Sequence, residues 1–292
     1  MLKQDNSENK KLLMIAILSA AISFIFSFMG APFLRLLALK KAILFWFVGF
    51  VFIVTLFFLK IDLIAIYVGA IWMTLGLYSR FENQGLSWKK SGVLSVFSGL
   101  CFGVIGFLFI TKGSQDHQLV KEITEPIVLS FKQFLPNENI EARSVLMIMP
   151  SVLASALLSA IAAGLAFESQ LFQVFNIKRE KTASGLRWLE FRLPDLFIWI
   201  SLFSFLLSII ETPYKWIQVL AMNISIFSVV AYFFQGITIV EFATRLYRVG
   251  RFSKFFLYLL IISWALPFVS LIGITDYWID FRRIMRKAIK VV

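Results

Sequence analysis

The side chains that could do chemistry are few, and the polar ones inside the apolar parts of the chain are uncharged. Asn223 and Gln235 stand out because they lie on one long apolar stretch, about three helical turns apart. Two amides on one helix face can bind a polar ligand, or they can hydrogen-bond to a neighbouring helix. We take both as candidate ligand-binding residues, with helix–helix hydrogen bonding as the alternative.

Metal and cofactor chemistry has little to build on in this sequence. Cys101 is the single cysteine and His117 is the single histidine, so one chain cannot assemble a zinc site from these ligand types. Signatures of phosphate loops, serine hydrolases, zinc proteases and dinucleotide folds are missing from the sequence. We therefore predict no metal, no cofactor and no enzymatic activity.

The elements that position these residues are long apolar stretches without Asp, Glu, Lys, Arg or His. A helix needs about 20 apolar residues to cross a bilayer, and uninterrupted runs exclude a membrane β-barrel. The predicted fold class is all-α, a polytopic membrane helix bundle of about eight hydrophobic segments. The segments are Leu12–Leu34, Ala42–Leu59, Leu63–Ser79, Ser91–Thr111, Ser144–Phe167, Leu196–Ile210, Trp216–Val240 and Phe255–Thr275.

Charges between the segments predict the topology. Lys and Arg concentrate in every second connection, including Arg35 in the first, which indicates that these connections are cytoplasmic. The same rule keeps the basic tail, Arg282–Lys290, in the cytoplasm, whereas a full set of crossings would export it. Phe255–Thr275 contains Pro267 and is a candidate re-entrant hairpin. Both seven and eight crossings stay open.

We predict one transmembrane domain over residues 1–292. Two of the connections between its segments are long enough to have a distinct composition. An insert at about residues 112–141 repeats an apolar residue at every fourth position from Leu119 to Leu135, which predicts an amphipathic helix on the outer face. A basic cytoplasmic loop at about residues 169–192 suits an anionic inner leaflet.

The charge of the chain indicates membrane contact. The net charge is +12 and 59% of the residues are hydrophobic. The Lys and Arg residues lie in short connections, so no basic stripe of the kind used by nucleic-acid binders is formed. We therefore predict membrane lipid as a partner and exclude nucleic acid.

The apolar segments also show what is missing for ion-driven transport. Carriers powered by protons or sodium usually hold an ionisable residue at membrane depth, and none lies inside a segment here. The acidic residues lie at segment ends instead. Pro194 and Asp195 are typical of a helix start, and Glu241 should pair with Arg245 one turn later.

Beyond the last segment, charged and aromatic residues share a short stretch. Asp276, Asp280 and Arg283 fall on one helical face, and Trp278 lies at interface depth. An ion-pair cluster and a binding site are both open interpretations of this stretch.

Small residues at a spacing of four predict close helix contacts. Ala16 and Ala20 form such a pair in the first segment, and Gly99 and Gly103 form another in the fourth. We take these four residues as helix-docking positions.

Three stretches of the last third carry a resemblance to a known family. They are Phe191–Asp195, Tyr232–Ile237 with Gly236, and Gly273–Arg283, which includes Trp278, Arg282 and Arg283. They resemble the YybS-like family of uncharacterised bacterial integral membrane proteins, and the last stretch is the most specific. The resemblance implies a multi-pass protein of the bacterial inner, or cytoplasmic, membrane.

That family is in turn distantly similar to the S components of energy-coupling factor transporters. S components are bundles of about six helices that bind a small molecule and dock on a transmembrane coupling subunit with two ATPases. In that group an AxxxA pattern on the first span contacts the coupling subunit, and Ala16 and Ala20 occupy the corresponding place. The resemblance thus implies a substrate-binding importer subunit. The alternative is a non-transport scaffold or regulator that recruits a cytoplasmic partner or anionic lipid.

Overall fold

The computed structural model describes residues 2–25, 29–113, 125, 128–129, 142–177, 187–210 and 212–290. Its regular elements within these ranges are helices, and no strand occurs among them. The described residues form two compact units, residues 1–185 and residues 186–292. The all-α class is confirmed, whereas the single transmembrane domain stays a prediction.

The first unit contains six helices in its described part, and the longest of them is α6. They are α1 (Leu2–Ile25), α2 (Ala31–Lys40), α3 (Ala42–Phe58), α4 (Asp62–Asn83), α5 (Trp88–Gly113) and α6 (Ala142–Val174).

The predicted first segment, Leu12–Leu34, is not one helix, which corrects the prediction. Helix α1 ends at Ile25 and α2 begins at Ala31, with Pro32 in its first turn. Proline is favoured in the first turn of a helix because the N–H that it lacks would have no partner there. It also disfavours helical geometry in the residue before it. Gly30 precedes α2, and a Cβ there would collide with the Ser23 hydroxyl of α1. The short helix α2 is therefore a separate element that packs against α1.

Helix α2 is largely buried in the first unit, where it packs against α4 and α6. The core beside it contains Trp72, whose indole N–H donates to the carbonyl of Phe45 at 3.1 Å. Satisfying the indole in this way lets a large aromatic ring be fully buried.

The second unit begins with a short 3-10 helix, Arg187–Glu190, and continues with five helices in its described part. They are α7 (Asp195–Ile209), α8 (Lys215–Leu246), α9 (Arg251–Ser263), α10 (Leu266–Ile279) and α11 (Phe281–Lys290).

The predicted last segment, Phe255–Thr275, is also divided. Its two halves, Phe252–Ile261 and Leu266–Ile279, meet at an angle of 95°. Pro267 lies in the first turn of α10, where it is tolerated, whereas it would interrupt a continuous helix. A broken span and a re-entrant hairpin both fit this bend.

Four described helices are long and apolar enough to cross a membrane, or five if the bent pair is one span. They are α4, α5, α6 and α8 by their apolar parts, while α3 and α7 are shorter apolar helices. A helical membrane protein is therefore supported, and seven or eight crossings stay a prediction.

The outer insert predicted at about residues 112–141 lies mostly outside the described residues. The loop at 169–192 begins later than predicted, because α6 continues to Val174.

Candidate functional site

The three stretches that carry the family resemblance come together in the second unit. Gln235 of α8 lies at their centre and is 2% exposed. Its carbonyl accepts from the Leu193 N–H at 3.0 Å, and its amide donates to the Gly273 carbonyl at 3.1 Å and to Asp276 Oδ2 at 3.3 Å. One side chain therefore connects α8, α10 and the segment before α7.

Two glycines allow α8 and α10 to approach at this level. A Cβ on Gly236 would collide with the carbonyl of Val269, and a Cβ on Gly273 would collide with the carbonyl of Tyr232. These obstacles are backbone atoms, which cannot rotate away. The glycines thus bring the Gly273 carbonyl within reach of Gln235, as small residues do between membrane helices.

Asp276 and Arg282 complete this arrangement. Asp276 Oδ1 accepts from the Phe281 N–H at 3.0 Å, and Arg282 Nη1 lies 4.0 Å from Asp276 Oδ2. Arg282 Nη2 donates to Phe191 O at 2.9 Å and to Thr238 Oγ1 at 2.6 Å. We call Leu193, Gln235, Gly273, Asp276 and Arg282 the motif cluster.

Arg282 lies beyond the apolar helices, at the start of α11, and its pKa is lowered. Burial disfavours its charged form most; Asp276 and Asp280 oppose this effect, and Arg192 and Arg286 add to it. An arginine keeps its proton at neutral pH despite such a shift. Arg282 is therefore a charged group in a partly dehydrated and electropositive setting.

Asp280 forms the junction between α10 and α11. Its backbone has a φ of 49°, in the left-handed region that Asp tolerates better than most residues. Its carboxylate accepts from the Arg283 N–H at 3.3 Å, as a capping side chain does at a helix start. Trp278 packs edge-on against Tyr277 and is exposed.

A cavity of about 470 Å³ opens beside this junction. We call it the basic cavity, and its walls contain five cationic and two anionic side chains: Arg192, Arg282, Arg283, Arg286, Lys287, Glu190 and Asp280. The excess of positive charge suits an anion that carries several acceptor oxygens.

Of the other predicted residues in this unit, Pro194 and Asp195 lie at the start of α7, as the sequence indicates. Asn223 is half-buried, and its amide donates to the Val219 carbonyl one turn earlier at 2.9 Å. It is neither in the motif cluster nor in the wall of the basic cavity. Gln235 makes its bonds to protein groups, so the ligand-binding role of both residues stays a prediction.

The predicted pair of Glu241 and Arg245 is present, with 2.5 Å between Oε1 and Nε. The structure adds two partners from α9. The Tyr258 hydroxyl donates to Glu241 Oε2 at 2.6 Å, and Lys254 Nζ lies 3.4 Å from Glu241 Oε1.

The predicted docking residues lie in the first unit. Ala16 is buried in its core and Ala20 packs against that core. A Cβ on Gly99 would collide with the Thr74 hydroxyl of α4, and one on Gly103 would collide with Leu153 of α6. Both glycines thus lie at close contacts of α5 within the first unit.

The sequence did not reveal a second charged cluster, the Arg35 cluster, which consists of Arg35, Tyr78, Glu82 and Glu168. Arg35 was assigned to a cytoplasmic connection, yet its side chain is buried in the first unit. Its Nε donates to Glu168 Oε2 at 2.7 Å and its Nη2 donates to Glu82 Oε2 at 2.8 Å. The guanidinium carbon lies 4.9 Å from the Tyr78 ring centroid.

The break after α1 explains why the sequence does not show this cluster. Because Arg35 lies only just beyond the apolar segment Leu12–Leu34, it has the usual position of a topology-setting cation. Glu82 and Glu168 likewise flank their segments. Their separation from Arg35 along the chain left no local pattern to detect, whereas the Glu241–Arg245 pair lies within one helical turn.

The sequence was also compared with models of known protein families. Residues 11–277 match the family described as "Predicted membrane protein (DUF2232)". The chain therefore belongs to this family of uncharacterised membrane proteins. No curated protein matches the chain. No solved structure matches it either.

Proposed function

We propose that this protein is a substrate-binding membrane subunit of an importer of the energy-coupling factor type. The observation that carries the proposal is the make-up of the first unit. Its described part contains six helices and begins with α1, which holds Ala16 and Ala20. A bundle of about six helices is the arrangement of S components, which the YybS-like resemblance implies.

The placement of charge also supports a carrier that depends on the ATPases of another protein. The Arg35 cluster holds two carboxylates, but Glu82 is the penultimate residue of α4 and Glu168 lies in the last third of α6. Neither is at the middle of its helix, where proton- and sodium-driven carriers place ionisable groups. The protein would work in the inner membrane of a bacterium.

The docking surface for the coupling subunit would be α1. Ala16 is buried, whereas its neighbour Ile17 is 64% exposed and Leu13 is also exposed. Ala16 and Ala20 therefore pack against their own unit, and we propose that Ile17 and Leu13 contact the partner in place of the AxxxA pair. The substrate is a small molecule, for which Asn223 stays a candidate contact.

The test is purification of the full chain from native membranes in a mild detergent, with mass spectrometry of the proteins that accompany it. We expect a transmembrane coupling subunit and two ATPases. Ile17→Ser should remove them, whereas Val93→Ser should not, because Val93 is a comparably exposed apolar residue of α5 at 70%. If the wild-type chain brings no ATPase, the importer function is wrong.

A second function, a non-transport scaffold or regulator, is supported by the basic cavity. The five cationic side chains of its wall lie before α7 and in α11, where a cytoplasmic partner or anionic lipid could bind. Arg283→Glu with Lys287→Glu should then abolish recruitment while the ATPase contacts of an importer stay intact. If this variant recruits as well as the wild-type chain, the scaffold function through the basic cavity is wrong.

A further inference from the structure

We propose that the basic cavity is a binding site for a phosphate-bearing anion, such as the headgroup of an anionic phospholipid. The inference deepens the second function above, on which it rests, by naming the class of ligand. It does not depend on whether the protein is also an importer subunit.

The first argument is the balance of charge in the wall of the cavity. Five cationic side chains face two carboxylates. Asp280 is also occupied in part, because its Oδ1 accepts from the Arg283 N–H at the start of α11. The cations are thus poorly neutralised by the protein, and an anion would offset their mutual repulsion.

The second argument is the state of Arg282, which lines the cavity and is largely buried. Two of its bonds are to neutral oxygens, those of Phe191 and Thr238, and Asp276 Oδ2 lies at the limit of an ion pair. Its buried Nε has no hydrogen-bond partner within the described part of the chain. A buried donor without a partner is costly, and a phosphate in the adjoining cavity would stabilise the charge of this under-paired arginine.

The third argument is the position of the cavity relative to the membrane surface. Trp278 is exposed at the end of α10, and the cationic wall follows from Arg282 to Lys287. Exposed tryptophans mark the boundary between membrane and water, and lipid phosphates lie at that level. Further back on α10, Phe268 and Leu271 are exposed and apolar, as expected of a surface that contacts acyl chains.

The size of the cavity agrees with this ligand class. About 470 Å³ is enough for a phosphate with a small polar headgroup. Arginine is well suited to phosphate because its planar donors can form two parallel bonds. A free phosphate ester offers the same oxygens as a lipid headgroup, so the experiment must separate the two sources.

The experiment is a calorimetric titration of the detergent-purified full chain with three probes. They are short-chain phosphatidylglycerol, short-chain phosphatidylcholine and inorganic phosphate. We expect phosphatidylglycerol to bind at least tenfold more tightly than phosphatidylcholine. Binding of inorganic phosphate as well would support a soluble phosphate as the source, and its absence would support a lipid. Equal affinity for the two lipids, or no binding of any probe, would overturn the proposal.

A pair of variants locates the site. Arg283→Gln with Lys287→Gln removes two exposed cations from the wall, which should weaken phosphatidylglycerol binding roughly 10- to 30-fold, given the usual contribution of a basic residue near anionic lipid. The control, Lys215→Gln with Arg248→Gln, makes the same change in net charge at exposed residues outside the wall, and it should bind like the wild-type chain.

Equal loss in both double variants would overturn the proposal, because it would show a general effect of net charge. Unchanged binding in the Arg283 and Lys287 variant would overturn it as well. Thermal unfolding of each variant serves as the check that it is folded. If phosphatidylglycerol fails to bind but Arg283→Glu with Lys287→Glu still abolishes recruitment of a cytoplasmic protein, the ligand class is wrong and the scaffold function stands.

Discussion

The two units bury polar clusters of opposite design. In the Arg35 cluster one buried guanidinium is held by two carboxylates, from α4 and α6, at 2.8 Å and 2.7 Å. In the motif cluster an uncharged side chain, Gln235, joins the helices mainly through backbone groups, and the charged Arg282 is only weakly paired. A buried cation with two close carboxylates is typical of a structural element, whereas a weakly paired cation beside a cavity is typical of a site for a ligand.

The largest expected effect tests whether the Arg35 cluster stabilises the first unit. Arg35→Met should lower the free energy of unfolding by about 3–5 kcal/mol, because it removes the buried cation that both carboxylates contact. Thermal unfolding in detergent measures the loss. The control is Arg80→Met, since Arg80 is exposed. A variant of Arg35 that unfolds like the control would contradict the structural role of this cluster.

The next effect tests the contact between α8 and α10. Gly273→Ala should cost about 3 kcal/mol, because the new Cβ collides with a backbone carbonyl and the helices must separate. Gly250→Ala is the control, since a Cβ there meets no atom within 4 Å. Gly99→Ala in the first unit should cost less than Gly273→Ala, because its nearest obstacle is the Thr74 side chain, which can rotate. Equal stability of all three variants would contradict the proposal that Gly273 is needed for close packing of α8 and α10.

A smaller effect separates the two amides that the sequence singled out. Gln235→Leu should cost about 2 kcal/mol, because it removes the partner of three polar groups on α10 and on the segment before α7. Asn223→Leu should cost less than Gln235→Leu, since Asn223 is only half-buried and its bond to the Val219 carbonyl lies within its own helix. Chemical denaturation compares them, and a larger loss at Asn223 would reverse the assignment.

The smallest effect concerns the charged group at the end of α8. Arg245→Ala should lower the free energy of unfolding by less than about 1 kcal/mol, because the Arg245 side chain is 49% exposed. Glu241 also keeps Tyr258 and Lys254 as partners. A loss comparable with that of Arg35→Met would show that exposure does not distinguish the two ion pairs.

Part of the motif cluster could be predicted, because its residues stand out in the sequence. Gln235 is a polar residue in an apolar helix, and Asp276 to Arg283 form a dense charged and aromatic stretch. Their mutual contact could not be derived from spacing, since Leu193, Gln235 and Gly273 are separated by about forty residues each. The basic cavity was likewise hidden, as it combines a residue before α7 with residues of α11.

The fold, like the motif cluster, could be predicted only in part from the sequence. Apolar runs predicted the helices, and Pro267 predicted an interruption that the structure has. The apolar run does not predict the break between α1 and α2, although Gly30 and Pro32 lie there, because hydrophobicity continues across it. Apolar content reports where a helix can be buried or face lipid, but it does not report where the helix ends.

The sequence by itself determined that this protein is helical and membrane-embedded, because a chain in lipid must satisfy its backbone hydrogen bonds locally and must expose apolar side chains. It also determined the helix start at Asp195 and the pair of Glu241 and Arg245, which depend on neighbours within a turn. Only the tertiary structure decided that Arg35 is buried between two carboxylates and that five cations share one cavity. Those arrangements join groups from separate helices, and the packing of whole helices sets the distances between them.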